Sequence, residues 1–369
     1  VSMQRGGSSA DTWVRTAGAI DTYTMLPEPL RPEELSGRRR PITSRAAENL
    51  FWMGRYAERA DHSVRLARAA LKMLGDDLQA PASVLNALGA LCVRHGLVPR
   101  GVPSPAQSTP VFERTLIAAL IDPNSVQGIA YTLAALARTG NQIRERLSPE
   151  HGRLILGAGP AFAAECAAMK GDGEFSSDEA LAALARLAVD IAAITGAQAD
   201  RMTRDDGWRL LTIGRQVERL SSLGGALAQV VETGAVAFES GFDLLLALFD
   251  SMITYRSLYQ RRFEFPPLLD LVVREPANPR SLACVANVLR TEVAALAGAD
   301  GATLLAATAL QEQWPNLTQL CTPDGDGRFS NLLALTTALE DGAHALSDRI
   351  GERYFSHAAA DYRQLSEQA

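Results

Sequence analysis

The sequence predicts an all-α protein, a large helical bundle built from two similar halves and preceded by a short β-rich N-terminal tail. Three observations predict it. Apolar residues make up 47% of the 369 while aromatics make up only 6%, a balance that suits close-packed helices. Apolar residues recur at helical spacing from Thr43 almost to the end of the chain. A charged helical motif also occurs twice, 160 residues apart.

Taken in order, Val1 to Arg5, Asp11 to Arg15 and Ile20 to Leu26 read as short strands, the first two joined through Gly6-Gly7-Ser8-Ser9. Three short strands bury no core of their own, so residues 1–26 are expected to need a partner sheet. Residues 27–41 carry four prolines and four arginines and read as a linker. Beyond them the expected helices span 43–74, 83–94, 111–120, 123–147, 150–169, 178–203, 206–233, 239–262, 265–274, 279–298, 302–314 and 330–357. The Gly- and Pro-rich stretch from His95 to Pro110 is the clearest long loop.

Helix 43–74 carries an ordinary core face on one side and an unusual face on the other. Leu50, Met53, Ala57, Ala60 and Val64 share one side, and Glu48, Phe51, Trp52, Arg55, Glu58, Arg59 and His62 share the other. A solvated face rarely mixes large aromatics with arginines and glutamates, so a coupled, partly buried polar cluster is expected. Gly54, Arg55, Glu58 and Arg59 recur as Gly214, Arg215, Glu218 and Arg219. A second pair, Asp122-Pro123-Asn124-Ser125 and Asn278-Pro279-Arg280-Ser281, is offset by 156 residues. Each reads as an Asp or Asn N-cap with proline at the first helical position. The two offsets predict an internal duplication, with halves at about 42–170 and 178–357.

The candidate binding residues are Glu48, Trp52, Arg55, Glu58, Arg59, Arg215, Glu218 and Arg219, with Tyr255, Arg256 and Tyr259 as a second cluster. Forked guanidinium groups suit a carboxylate or phosphate ligand. The same residues equally suit a structural network that locks helix 43–74 against helix 206–233. Tyr255, Arg256 and Tyr259, with Arg261 and Arg262 after them, either complete one cleft with the first cluster or tie a helix end to neighbouring carboxylates. No residue is assigned a catalytic role, because arginine neighbours lower the pKa of Glu58 or Glu218 away from that of a general base.

Other chemistries are excluded. A formal charge of -6 and a pI near 5.5 give no general attraction to nucleic acid or anionic membrane. No apolar run is read as a membrane span, and Gly241 to Ile253, the greasiest, is interrupted by Asp243 and Asp250. Cys92, Cys166, Cys284 and Cys321 form no C-x-x-C pair, which predicts reduced thiols and a cytoplasmic setting. The five histidines are scattered, so no metal site is expected. Gly157-Ala158-Gly159-Pro160 fails the dinucleotide fingerprint, and Pro323 to Gly327 lacks the far carboxylate of a calcium loop.

The run from Ser44 to Ala60, SRAAENLFWMGRYAERA, resembles the opening of the alpha-E domain family, bacterial helical proteins of unassigned activity. The likeness continues through Asp122 to Ser125, Arg144 to Glu150, Tyr255-Arg256 with Tyr259, Asn278 to Ser281 and Arg349 to Phe355, which places an alpha-E domain at 42–369. Val1 to Ser8 followed by Asp11-Thr12-Trp13-Val14 resembles the last strands of circularly permuted ATP-grasp ligases. Together the resemblances imply a non-catalytic helical partner of a carboxylate–amine ligase that helps bind or enclose a small acidic substrate. This chain would hold no cofactor, ATP and magnesium belonging to the ATP-grasp partner. A stand-alone helical enzyme with an Arg/Glu/Tyr site and a purely structural dimerisation module are the alternatives, and homo-oligomerisation stays open.

Overall fold

The computed structural model describes residues 10–13, 15, 17–19, 23–24, 42–75, 80–125, 127–168, 176–260, 263–306, 310 and 314–355, and among them fourteen α-helices and no strand occur. The chain divides into residues 1–40 and 41–369. In the first unit the described residues carry no regular secondary structure, with Trp13 93% and Tyr23 80% exposed. The expected β-rich tail is therefore not found among them, which fits strands that have no partner edge to pair with. The rest of that tail, and the linker, lie outside the described residues.

The helices of the second unit are α1 (Ser44–Leu74), α2 (Ala82–Arg94), α3 (Thr109–Ala119), α4 (Ile129–Gln142), α5 (Pro149–Ala168), α6 (Ser177–Asp200) and α7 (Asp206–Glu232). They continue as α8 (Glu239–Leu248), α9 (Met252–Tyr259), α10 (Phe265–Leu269), α11 (Leu282–Ala297), α12 (Gly301–Ala306), α13 (Leu317–Cys321) and α14 (Ser330–Tyr354). At the centre α1 lies along α7. Around that pair α1 packs on α4 and α6, and α7 packs on α11 and α14. The short helices cross over, α2 reaching α7 and α8 reaching α1.

Local chemistry sets the ends. Thr43 caps α1 by accepting from the Ala46 amide. Asp205 caps α7, its Oδ1 accepting from the Gly207 and Trp208 amides at 3.0 and 3.1 Å, while Arg146 pairs with its other oxygen. Ser176 and Glu179 form a capping box at α6. That helix is long and apolar enough to cross a membrane by length and composition, a property that its alanine-rich sequence did not make plain. Its face of Ala180, Ala183, Leu184, Leu187, Ile191 and Ile194 is buried in the bundle.

Three expectations change. The two Asx-Pro segments are turns rather than caps: Asp122 accepts from the Asn124 amide at 2.9 Å and Asn278 from the Arg280 amide at 3.2 Å. The helices begin later, α4 behind Gly128 and α11 behind Ser281. Helix 239–262 is broken into α8 and α9. The Ser251 amide bonds to Leu246 O and the Asp250 amide to Ala247 O, a Schellman closure with Asp250 in the left-handed region at φ 50°. Aspartate tolerates that conformation, so the stop carries no glycine for the sequence to reveal. Finally, α13 is an extra helix started by an Asn316–Gln319 capping box.

The two central helices touch backbone to backbone. A Cβ on Gly54 would lie 2.1 Å from Leu211 O, and a Cβ on Gly214 would lie 2.1 Å from Phe51 O. Only glycine permits that approach. It puts the residues one turn further along each helix within reach of the opposite helix.

Candidate functional site

One turn beyond the crossing, the charged side chains interleave. Arg55 Nε donates to Glu218 at 2.8 Å, and Arg59 holds the same carboxylate with Nε at 2.7 Å and Nη2 at 3.0 Å. Reciprocally, Arg219 holds Glu58 with Nε at 2.7 Å and Nη2 at 2.6 Å, and Arg215 Nε approaches it at 3.4 Å. Arg280, from the turn before α11, reaches Glu58 at 3.6 Å and pairs with Asp61. Arg65 then links Asp61 at 3.0 Å to Asp250 at 2.9 Å. A single network thus ties α1, α7, the α8–α9 corner and the start of α11, with Arg55 also donating to Ser347 of α14 at 3.2 Å.

Glu58 is 3% exposed and Glu218 and Arg219 are each 9% exposed at the side chain. Burial alone pushes both carboxyls up. For Glu58 the charges of Arg219 and Arg280, the Arg219 hydrogen bonds and Arg215 outweigh it and hold the group well below the usual range. For Glu218 Arg59 and then Arg55 do the same. Arg215 is shifted down, chiefly by burial and despite Glu58. Permanently ionised and doubly bonded, neither glutamate can exchange protons near neutral pH.

The other candidates fall in different places. Trp52 stacks on Tyr56 at 5.6 Å, with the Arg55 guanidinium 4.9 Å from its ring centroid. Glu48 is half-buried further toward the start of α1, and the network's bonds run through Glu58 and Glu218 instead. Tyr259 donates to Asp270 at 2.9 Å. Tyr255 and Arg256 line a cavity of about 240 Å³ along α8 that includes none of Arg55, Glu58, Arg59, Arg215, Glu218 or Arg219, so the two clusters do not share a cleft. Arg261 and Arg262 lie outside the described residues. Sequence reasoning missed Asp61, Arg65, Asp250 and Arg280 as members of the network. For Arg280 a signal existed in the repeated Asx-Pro turn.

Beside Glu58 the imidazoles of His62 and His95 stand 4.4 Å apart, and the Nε2 of each is buried without a hydrogen-bond partner. Burial, against the pull of Glu58 and with help from Arg280, Arg65 and Arg94, lowers His62 to about 4. His95 and His151 are shifted the same way. The unfolded value is about 6.5, so the contribution of neutral His62 is whole above about pH 6.5 and is lost as pH falls through about 4, on the order of 3 kcal/mol. Urea midpoints measured from pH 7.5 to 4 should fall across that window, and His62→Leu should flatten the slope. An unchanged slope would contradict this assignment.

All four cysteines are free thiols, and among the described residues no group of His, Cys, Asp and Glu is arranged to hold a metal. The all-helical bundle with its reciprocal Glu-Arg network defines the class. The alpha-E family profile, described as a predicted alpha-helical domain with a conserved ER motif, matches residues 42–355, and the chain belongs to that family. Glu58-Arg59 and Glu218-Arg219 are the Glu-Arg dipeptides that meet here, each glutamate bonded to the other's arginine. Uncharacterised proteins of Mycobacterium bovis and of two Mycobacterium tuberculosis strains are each 25% identical to this chain over 314 residues, covering 80% of it. The chain spans only 35% of the length of those relatives. No solved structure matches it.

Proposed function

We propose that this domain is a non-catalytic helical partner of an ATP-dependent carboxylate–amine ligase, and that it encloses the ligase's acidic substrate. ATP and magnesium belong to the ATP-grasp partner in this reading, and the domain works in the cytoplasm. Three points support it. The N-terminal residues resemble the closing strands of a permuted ATP-grasp domain, and the mycobacterial relatives carry much further sequence beside their alpha-E region. The buried glutamates are ionised and fully engaged by arginines, which suits a rigid scaffold better than an acid–base site.

The observation that carries the substrate part is a polar cavity of about 290 Å³ between α1 and α4, lined by Asn49, Tyr56, Arg138, Thr139, Asn141 and Gln142 among others. It adjoins the Trp52–Tyr56 stack and Arg59, whose guanidinium lies 5.7 Å from the Tyr56 ring centroid. Arg138 is exposed and has no carboxylate partner among the described residues, which leaves its fork available for an acid.

The reading is tested with the chain reconstituted beside a permuted ATP-grasp polypeptide, following ADP release with panels of acids and amines. Co-elution and acid-dependent ADP release are expected. Arg138→Gln should raise KM for the acid about tenfold while leaving the melting temperature unchanged. Failure of the two polypeptides to associate, with ADP release indifferent to the domain, would refute the partnership.

The two similar halves belong to the same proposal. An ancestral duplication accounts for the glycine contacts, the crossed Glu-Arg pairs and the matching neighbours of α1 and α7. In this reading α6, which packs on α1 and α5, is assigned to the first half, so that the proposed boundary is at 201–205 in place of the expected 170–178.

A further inference from the structure

Along α8 two cavities meet. One, of about 610 Å³, runs between α8 and the end of α1 and is mostly apolar, with Met73, Phe238, Leu244 and Ala247 in its walls. The second, of about 240 Å³, lies toward α9, walled by Phe242, Tyr255 and Phe263. Glu239, Asp243 and Met252 line both. The larger volume is within the range of small-molecule sites, and apolar walls with a few convergent polar groups are their usual character.

The carboxylates at the junction are unpaired, although two cations line the same cavities, Lys72 in the larger and Arg256 in the smaller. Glu239 and Asp243 stand one helical turn apart, a like-charged spacing that repels. Neither has a hydrogen-bond or ion-pair partner among the described residues. Burial, with Glu239 beside it, pushes the Asp243 carboxyl up even though Arg256 pulls the other way. The aromatic rings are close enough to act together. Phe242 is 4.7 Å from Phe263 and 5.2 Å from Tyr255, centroid to centroid. Ring faces and carboxylates both attract a desolvated cation.

We propose that this groove is a binding site for an organic cation with an apolar body, an amine or quaternary ammonium whose head sits between Asp243, Glu239 and the ring cluster. The apolar part extends into the larger cavity over Leu244 and Ala247. Arg256 borders the head site and opposes the cation, which sets an upper limit on affinity and gives the site a second electrostatic handle. The proposal is independent of the ligase reading, because none of the Glu-Arg network residues that tie α1 to α7 lines either cavity.

The test is calorimetric titration of the full chain with octyltrimethylammonium, with octyl sulfate and octyl glucoside as probes of the same tail. Saturable one-to-one binding of the cation is expected, at least tenfold tighter than either control. Asp243→Asn should weaken it about tenfold and Phe263→Ala several-fold, with circular dichroism confirming the parental fold. Arg256→Gln should tighten binding several-fold, a gain that loss of folding cannot imitate. Equal affinity for the cation and octyl sulfate, no saturation, or indifference to both Asp243→Asn and Arg256→Gln would overturn the proposal.

Discussion

Gly54→Ala and Gly214→Ala should each lower stability by at least about 3 kcal/mol, the upper end of ordinary overpacking, and the double variant should not fold. An added methyl group at either position meets a main-chain carbonyl oxygen 2.1 Å away, Leu211 O in one case and Phe51 O in the other. A flexible side chain could swing aside, but a helix backbone cannot. The helices must separate, and the network beyond the crossing is then stretched on both sides. Gly196→Ala is the control. It lies in α6 with nothing within 4 Å of the place a Cβ would take, so the helix should gain about 0.5–1 kcal/mol from the same chemical change. Urea unfolding of the three single variants decides the matter. Parental midpoints for the Gly54 and Gly214 variants would mean that the two helices do not touch there.

Glu58→Gln should lower stability by about 3–5 kcal/mol, the usual consequence of removing one partner from a buried ion pair. Three arginines then face a neutral amide: Arg219, Arg215 and Arg280. Glu218→Gln should cost less, because that carboxylate balances two arginines and is slightly more exposed. Arg219→Lys should not be neutral, since an ammonium cannot reproduce the two-pronged contact with Glu58. A Glu58/Arg219 double-mutant cycle should return a coupling of about 1–3 kcal/mol. If all these variants melt like the parent, the network is ordinary helix surface. If they stay folded and the reconstituted ligase alone fails, the arginines serve a ligand and not the fold.

Much of the site could be read from spacing. The period of the apolar residues in α1 and α7 gave the helices, and Gly-Arg-x-x-Glu-Arg placed the charges on one face of each. The crossing itself follows from the two glycines, which are the residues that let backbones meet. Other parts were not legible. Asp250 closes α8 in the left-handed region, yet no sequence rule names an aspartate as a helix stop there with the assurance that glycine carries. Asp61 and Arg65 form a local i,i+4 pair, and only the fold brings Arg280 to one and Asp250 to the other. Tyr255 and Arg256 share helical spacing with the other candidates in composition but not in space, because the break at Asp250 sends α9 to a separate cavity.

By itself the sequence determined that the chain is helical, which residues line each helix face, and that the same Glu-Arg motif is present twice, because those properties follow from local geometry at 3.6 residues per turn. The tertiary structure decided which glutamate each arginine holds. A bidentate bond needs the two helices at contact distance and in one register, and that register is fixed by backbone touching backbone at Gly54 and Gly214. It also decided that Asp243 and Glu239 stand beside a ring cluster with no hydrogen-bond or ion-pair partner among the described residues, since whether a residue finds a partner is a property of everything packed around it and is written in no single stretch of chain.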